Sequence, residues 1–365
     1  MRNRQMCGCG AMADAMLNTP RQLSDKKGRK CAMLKAAIVG LGWWGRTIIT
    51  RMAHSDRMQI VTAVDVDPAK HEDYARENGL ELHSDYERVL ADPNIDCVIL
   101  CTPNSLHTTQ VEAAAKAGKH VFCEKPLALT RAEAQRSVDA CRKAGVLLGI
   151  GHERRFERAM QEVRRLVRSG ELGTIMHAES NFSHDKLINV PQNDWRRSSK
   201  ESPAAGMTAM GIHLSDAYVN LFGPAQEVYA LTANRVLNSE NGDVVSVLLR
   251  FENGVTAYLN AVLYTPLYLR FTVFGTKAWV EFRNDTHPDT PGPSTLTVQV
   301  TGEEPKITQY DWTDSVRENL DSFADAVKGQ GDYIFTDIEK VGNIAILEAI
   351  AVSAASGQPV TIKPA

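Results

Sequence analysis

A carboxylate, an ammonium group and a proline stand side by side in FCEKP (122–126), directly after an apolar run of strand length. A lysine that ends a strand is ordinarily a solvated edge residue, because lysine is rarely buried without a partner. If Lys125 instead lies in a crevice, partial desolvation lowers its pKa and lets it exchange a proton with a hydroxyl group near neutral pH. The elements around Lys125 decide between these interpretations.

A second candidate for proton transfer is His213, in SPAAGMTAMGIHLSDAYVNLFG (202–223). The pattern predicts an amphipathic helix that begins near His213, with Asp216 one turn along and able to reach the ring. The alternative is a histidine that is merely buried at the start of a helix.

Further pocket candidates lie upstream of His213. Trp195, Arg196 and Arg197 in NDWRRSSKESP are candidates to close over a substrate. Two arginines favour a carboxylate or a polyol with many acceptors, whereas surface ion pairing is the alternative for Arg197. The remaining candidates follow a predicted strand: Asn181, His184 and Asp185.

A glycine-rich turn stands near the beginning of the patterned sequence. In LKAAIVGLGWWGRTIITRMA an apolar strand runs into Gly40, Gly42 and Gly45, with Trp43 and Trp44 between the last two, and then into a helix. Strand before and helix after is the context in which such glycines bind a pyrophosphate, because they permit a tight turn, close backbone approach and close helix packing. This stretch predicts a dinucleotide site.

Asp65 follows the next predicted strand, twenty residues after Gly45. A carboxylate at this spacing would accept the two hydroxyls of an adenine ribose and repel a 2'-phosphate. Val66 and Asp67 follow it, not Arg or Lys, so NAD is favoured over NADP. The alternative is a turn residue before Asp67-Pro68.

Strands and helices alternate through the first half of the chain. Helices are predicted over 69–78, 86–90 and 106–117, and strands over 81–83, 96–102 and 120–123. This rhythm predicts a Rossmann-type parallel sheet, in which ligands bind at the carboxyl ends of the strands. Gly40, Asp65, Thr102 and Glu124-Lys125-Pro126 should then line one crevice, which favours the functional interpretation of Lys125.

The second half changes character after Gly173. A helix that ends near Gly170 precedes six predicted strands, whose alternation predicts a large open, mostly antiparallel sheet. Two further helices are predicted near the end, the second with Thr336-Asp337 as its cap and Gly357 as its stop. We expect a disordered extension over 1–33, an NAD-binding domain over 34–155, and an α+β domain for substrate binding and oligomerisation over 156–365.

Composition narrows the function classes. The 365 residues have a net charge of -3, which indicates no surface for nucleic acid or anionic membrane. No stretch approaches the roughly 20 apolar residues of a membrane span. Seven scattered cysteines favour a reducing cytoplasm, and residues 1–33 are interpreted as a tail, with a transit peptide as the alternative. No cluster with metal-ligand spacing is present, and Cys7-Gly-Cys9 stands without further ligands, so no metal is expected.

Four segments together resemble the glucose-fructose oxidoreductase, inositol dehydrogenase and rhizopine-catabolism family of NAD(P)-dependent dehydrogenases: AAIVGLGWWG, AVDVDP, CTPNSLH and CEKPLALT. The resemblance implies that Lys125 is the catalytic lysine, that the Lys125-Pro126 peptide is cis, and that Glu124 contacts the nicotinamide ribose. It also implies that the TPNxxH residues line the cofactor from the opposite side: Thr102, Pro103, Asn104 and His107. A helix cap is the alternative for His107.

The resemblance extends into the second half, with one departure. Arg155 matches an arginine of the family at the domain crossing, where it is a candidate to face the substrate; capping or a salt bridge is the alternative. His213 matches the family histidine, but Ala209 stands where the family places an aspartate. His213 would therefore act without that partner, and Lys125 would carry a larger share of the proton transfer.

These observations predict an NAD-dependent oxidoreductase that moves a hydride between nicotinamide and a carbinol of a sugar, inositol-like polyol or related cyclic alcohol. Lys125 and His213 would handle the hydroxyl proton. The alternatives are an NAD-dependent glycosidase, a dihydrodiol dehydrogenase, or a dinucleotide-sensing regulator without turnover. From the family, a homodimer or homotetramer assembled through the open sheet is expected.

Overall fold

The computed structural model describes residues 33–287 and 289–363. The predicted extension over 1–33 lies outside these residues, apart from Met33. The first half forms a six-stranded sheet in the order β3-β2-β1-β4-β5-β6, in which every pair is parallel. Its strands are β1 (Leu34–Val39), β2 (Met58–Val64), β3 (Glu81–His83), β4 (Cys97–Leu100), β5 (His120–Cys123) and β6 (Leu148–Ile150). The predicted Rossmann-type sheet is confirmed.

The helices of this half cover the sheet on both faces. All four residues of β4 are buried, as expected for a central strand between helical layers. The predicted helix over 69–78 is shorter, because its first turn is a 3₁₀ turn (Pro68–His71). The helices are α1 (Trp43–Met52), α2 (Glu72–Glu77), α3 (Tyr86–Ala91), α4 (His107–Lys116) and α5 (Arg131–Ala144).

Helix α5 was not predicted, although its ends carry clear local signals. Thr130 and Glu133 form a capping box at its first turn, and Gly145 ends it in the left-handed conformation. Its loop and β6 complete the sheet and return the chain to the crevice. Between β1 and β4 the strand order reverses, which is where open parallel sheets bind ligands.

The second half contains a nine-stranded sheet in the order β14-β13-β12-β11-β7-β10-β9-β8-β15. The mostly antiparallel arrangement is confirmed, with β7 and β10 as the parallel pair. Three strands were not predicted, β13 to β15; β13 and β14 are rich in Thr and Gln, and β15 has two residues. The strands are β7 (Ile175–Ser183), β8 (Ala225–Ala233), β9 (Val244–Phe251), β10 (Thr256–Val262), β11 (Tyr268–Gly275), β12 (Ala278–Asn284), β13 (Ser294–Val300), β14 (Lys306–Tyr310) and β15 (Val360–Thr361).

The second half of the chain also contains four helices: α6 (Arg158–Ser169), α7 (Gly211–Phe222), α8 (Ser315–Val327) and α9 (Asp337–Ser356). The predicted helix ends are confirmed, since Gly170 and Gly357 are left-handed and Thr336 forms a capping box. The prediction that α7 is amphipathic is wrong. Ten of its twelve residues are buried, because it lies between the second sheet and α9.

Helix α8 packs back on the first sheet, where Phe323 meets Phe122 edge-on at 5.6 Å between ring centroids. The domain bounds 34–155 and 156–365 stay a prediction. Among the described residues, no helix has both the length and the apolar character needed to cross a bilayer.

Candidate active site

A cavity of about 190 Å³ lies at the carboxyl ends of the parallel strands. Its walls come from the loops after β1, β4, β5 and β6, from the end of β7, and from the segment that leads into α7. Its lining includes predicted residues from both halves of the chain: Trp43, Trp44, Thr102, Asn104, His107, Glu124, Lys125, Pro126, Trp195, Arg196 and His213. Five predicted cofactor residues are not among its lining residues: Gly40, Gly42, Gly45, Asp65 and Pro103.

The three glycines shape the turn between β1 and α1. Gly40 has a φ of +98°, and a Cβ there would lie 2.6 Å from the carbonyl oxygen of Cys101. A Cβ on Gly45 would lie 2.1 Å from the carbonyl oxygen of Gly40, so α1 can pack this closely against the turn only when position 45 is glycine. Gly42 caps α1 and faces open space, because no atom lies within 4 Å of the place that a Cβ would occupy. The first N–H groups of α1 are therefore approachable by an anion.

Asp65 lies at the end of β2 and braces this turn. Its carboxylate accepts hydrogen bonds from the backbone N–H of Leu41 at 2.8 Å and of Asp67 at 3.1 Å. Both the glycine turn and the following turn thus depend on it, as the turn alternative required. Its role toward a ribose stays a prediction.

The TPNxxH segment follows β4. The buried ring of His107 contacts the carbonyl oxygens of Pro126 at 2.7 Å and Thr102 at 3.0 Å, which ties the β4 and β5 loops together. The helix-cap alternative for His107 is wrong, since its side chain caps no N–H group. Asn104 donates to the carbonyl of Glu201 at 2.6 Å and so links the two halves, and Pro103 begins a short 3₁₀ turn.

Lys125 follows β5, and the Lys125-Pro126 peptide is cis, as the resemblance implied. Its ammonium group donates to the carbonyl oxygen of Ala209 at 2.8 Å. Burial lowers the pKa of Lys125, while the carboxylates of Glu124 and Glu153 act in the opposite direction. Lys125 is thus a crevice residue, and the edge interpretation is wrong.

Glu124 is buried beside Lys125. Burial raises its pKa to about 7, opposed by the Trp44 indole and the Lys125 ammonium. A Cβ on Gly151, just after β6, would lie 2.4 Å from the Glu124 carboxylate oxygens. A side chain at position 151 would force this carboxylate to move from its present position.

His213, in the first turn of α7, is buried with Glu153 beside it. Burial lowers the pKa of His213 well below its usual value, and the nearby Lys125 ammonium adds to the effect. Its Nδ1 lies 3.8 Å from Oε2 of Glu153. The predicted pairing of His213 with Asp216 is wrong, because Asp216 binds Arg155 at 2.6 and 2.7 Å.

Arg155 does not line the cavity, and its prediction as a substrate residue is wrong. Its buried guanidinium bridges Asp216 and Glu339, the latter at 3.1 Å, which is the salt-bridge alternative. The prediction that Asn181 lies in the pocket is also wrong. Side chains alternate along β7, so Phe182 faces the cavity while Asn181 donates to Asn260 at 3.0 Å on the other face of the sheet.

The segment before α7 supplies the outer wall. Trp195 and Arg196 line the cavity, with the guanidinium 4.1 Å from the indole ring and 3.2 Å from Asp194. Arg197 is buried and donates to the carbonyl oxygens of Val190, Leu237 and Ile188, so the surface-pairing alternative is wrong. It anchors the loop that carries its two neighbours.

A polar cluster lines the cavity on the side of the second sheet, and the sequence predicted only one of its members, His184. His184 lines the cavity as expected of a pocket candidate, whereas Asp185 is exposed and outside the lining. The ring of His184 meets that of His287 at 4.9 Å, and Asp289 accepts from His287 at 2.7 Å and from Lys186 at 2.6 Å. His287 and Asp289 lie in the loop between β12 and β13, which carries no motif.

Two family models match the chain. Residues 34–152 match the oxidoreductase family with an NAD-binding Rossmann fold, and residues 160–281 match the GFO/IDH/MocA C-terminal domain. The chain belongs to the GFO/IDH/MocA oxidoreductase family. Its first domain binds NAD, and its family supports NAD(P)-dependent oxidation and reduction of sugars and polyols.

Individual relatives agree with this assignment. An uncharacterized oxidoreductase, YrbE, of Bacillus subtilis is 30% identical over 89% of this chain and 96% of its own length. A 2,7-anhydro-N-acetylneuraminate hydratase of Escherichia coli is 31% identical over 62% of this chain and 61% of its own. The crystal structure of aldose-aldose oxidoreductase from Caulobacter crescentus, complexed with glycerol, superposes with a TM-score of 0.80 at 27% identity, covering 90% of this chain and 99% of that one. This GFO/IDH/MocA protein is an oxidoreductase.

Proposed function

We propose that this GFO/IDH/MocA oxidoreductase moves a hydride between NAD and a carbinol carbon of a sugar, polyol or related cyclic alcohol, with Lys125 and His213 handling the hydroxyl proton. One observation carries the proposal. Lys125 from the β5 loop and His213 from α7 line the same cavity, beside the glycine turn that begins α1. Two proton-transfer groups and a dinucleotide site therefore share one crevice.

The residues present fit NAD. Gly42 leaves open space at the start of α1 for a pyrophosphate, and Trp43 and Trp44, which follow it, line the cavity. Asp65 provides a carboxylate for the ribose hydroxyls, and Glu124 and the TPNxxH segment border the nicotinamide side. The absence of a cation at Val66 and Asp67 favours NAD over NADP. When bound, NAD supplies the hydride acceptor and donor.

The chain's own residues would manage the proton. The Ala209 carbonyl holds the Lys125 ammonium in place, and burial lowers the pKa of Lys125 toward the range in which it can exchange a proton. His213 stays neutral as the buried partner because the pKa of its imidazole is also lowered. Trp195 and Arg196 close the outer wall, and Phe182 and His184 close the sheet side.

The test uses purified protein, NAD and a panel of sugars, inositols and other cyclic alcohols, with NADH formation as the readout. We expect turnover with at least one of them, and a loss of about 10²-fold or more in kcat for Lys125→Ala. A matched control is Lys119→Ala, since Lys119 is also a buried lysine of this half but binds the backbone carbonyls of Asp92 and Ile95. A Lys125→Ala variant with full kcat would show that the mechanism is wrong.

A second candidate function uses NAD transiently and forms no net NADH. The resemblance to a protein named as an anhydro-sugar hydratase favours it as the rival. Incubation with an anhydro-sugar or glycoside and catalytic amounts of NAD distinguishes the two: product without accumulated NADH supports the rival. The sensing alternative is not favoured, because a sensor needs no pair such as Lys125 and His213.

The assembly is also a proposal. On the second sheet, Leu231 and Leu248 are 54% and 53% exposed, in neighbouring strands β8 and β9. Apolar side chains exposed on a broad sheet are typical of a protein interface. We infer a homodimer or homotetramer through this sheet, and light scattering on the eluted protein measures its mass.

A further inference from the structure

Glu153 is a buried carboxylate that no motif singled out. It follows β6 in the GHERRF segment and lines the cavity with Lys125 and His213. Its Oε2 makes no hydrogen bond among the described residues, and neither does the buried Nδ1 of His213, which lies 3.8 Å away. An unpartnered acceptor thus faces an unpartnered ring nitrogen. Such apo separations commonly shorten when substrate binds.

The other polar groups near His213 are already committed. Asp216 is held by Arg155 through two hydrogen bonds. His152 packs edge-on against His213, but its Nε2 accepts from Asn343 at 3.0 Å. Of the carboxylates near His213, this leaves Glu153 within reach of its Nδ1.

The residue next to Glu153 does not neutralise it by direct contact. Arg154 pairs with Glu157 at 3.0 Å, and its guanidinium lies 5.0 Å from the ring of Phe182. The charged groups that face Glu153 are therefore those of the cavity. Burial and Glu124 raise the pKa of Glu153 to about 8, whereas Lys125 and Arg154 act in the opposite direction. At and above that pH Glu153 is ionised and can accept a proton, and below it the neutral acid can donate one.

We propose that Glu153 is the positioning carboxylate of His213, and that it replaces the aspartate absent at Ala209. This inference rests on the proposed function. In alcohol oxidation the substrate O–H bond breaks and its proton passes to Nε2 of His213. The Nδ1 proton of His213 passes to Oε2 of Glu153, which becomes a neutral acid. The carbinol hydrogen leaves as hydride with its electron pair, for which NAD is the acceptor, and the C=O bond forms.

The same arrangement runs in reverse for reduction of a ketone. His213 is neutral before and after the step, because it gains one proton as it gives up another. A neutral histidine suits this pocket, since burial and the nearby Lys125 ammonium both disfavour an imidazolium ion. Glu153 fixes which ring nitrogen carries the proton at rest, and leaves Nε2 for the substrate.

The test replaces Glu153 by Gln and by Asp. Glu153→Gln keeps the shape but accepts no proton, so we expect kcat to fall by about 10²-fold with little change in KM. Glu153→Asp keeps the carboxylate and should give an intermediate kcat. NAD affinity, measured by quenching of tryptophan fluorescence, should be unchanged in both variants.

The matched control is Glu157→Gln. Glu157 is also buried and lies four residues away, but it pairs with Arg154 and is not part of the cavity lining. It reports the cost of removing a buried carboxylate from this segment. If Glu153→Gln retains the kcat and the pH profile of Glu157→Gln, the inference is wrong.

A readout without turnover separates this inference from the proposed function. The ¹⁵N shifts of the His213 imidazole report which nitrogen carries the proton, and they should change in Glu153→Gln but not in Glu157→Gln. If the shifts change while no alcohol is oxidised, the pairing stands and the proposed function fails. If alcohols are oxidised while the shifts do not change, the function stands and the pairing fails.

Discussion

Substitution by alanine should have different effects at two glycines of the same turn, Gly42 and Gly45, and the difference tests the cofactor site. A Cβ on Gly42 enters open space, and Gly42 has φ −64° and ψ −176°, a conformation that alanine adopts freely. A Cβ on Gly45 would lie 2.1 Å from the Gly40 carbonyl oxygen, far inside contact distance. The first change should affect binding and the second should affect stability.

The magnitudes follow from these contacts. Gly45→Ala forces the turn apart, and overpacking of this kind costs about 1–3 kcal/mol of the free energy of unfolding. Gly42→Ala should leave that free energy within about 0.5 kcal/mol, or raise it slightly, because alanine restricts the unfolded chain. Its methyl group would occupy the approach to the α1 N–H groups. A tenfold or larger rise in the Kd for NAD is expected, which corresponds to about 1.4 kcal/mol.

Calorimetric titration with NAD and chemical denaturation, applied to both variants and the parent protein, measure the two effects. Gly42→Ala should bind NAD weakly and unfold at the parent's denaturant concentration. If Gly42→Ala binds NAD with the parent's affinity, the pyrophosphate does not lie on this turn and the assignment of the cofactor site is refuted.

Two further predictions concern buried charges. In Glu124, burial raises the pKa in the folded protein to about 7 from a usual 4.5, so the folded state holds a proton that the unfolded state has lost in this range. The contribution of Glu124 to the free energy of unfolding is full below pH 4.5 and is lost as the pH rises through about 7, by about 3 kcal/mol. Glu124→Gln should therefore flatten the pH dependence of the free energy of unfolding between these two values. An unchanged slope would contradict the raised pKa of Glu124. Arg155→Ala leaves Asp216 buried without its partner and should lower the free energy of unfolding by about 3–5 kcal/mol, as measured by thermal denaturation. A variant with the parent's stability and a raised KM would instead show that Arg155 binds substrate.

Much of the first half could be predicted because its signals are local. Gly40 needs a positive φ, and the strand that precedes the turn ends in the buried apolar run AAIV. Parallel strands that alternate with helices bring their carboxyl ends to one edge, so the placement of Lys125 in a crevice followed from topology. The cis peptide at Pro126 came from the resemblance.

The failures share one physical reason. Asp216 is spaced to reach His213 along α7, but spacing does not say which of two partners a carboxylate binds, and a buried guanidinium bound in two places outcompetes a neutral ring. Asn181 failed for a related reason, since its face of the sheet depends on the register of β7 between β10 and β11.

The order of the amino acids was enough to predict the class of fold, the glycine turn and the lysine in the crevice, because glycine conformations and apolar periodicity act over a few residues. The family was predicted from the resemblance of four short segments. Which carboxylate faces His213 depended instead on how distant segments pack. Glu153 and His213 are far apart along the chain and meet because β6 and α7 both adjoin the same cavity. The aspartate expected at position 209 is absent, yet Lys125 has other partners. Its ammonium group donates to the carbonyl oxygen of Ala209, and the carboxylate of Glu153 raises its pKa.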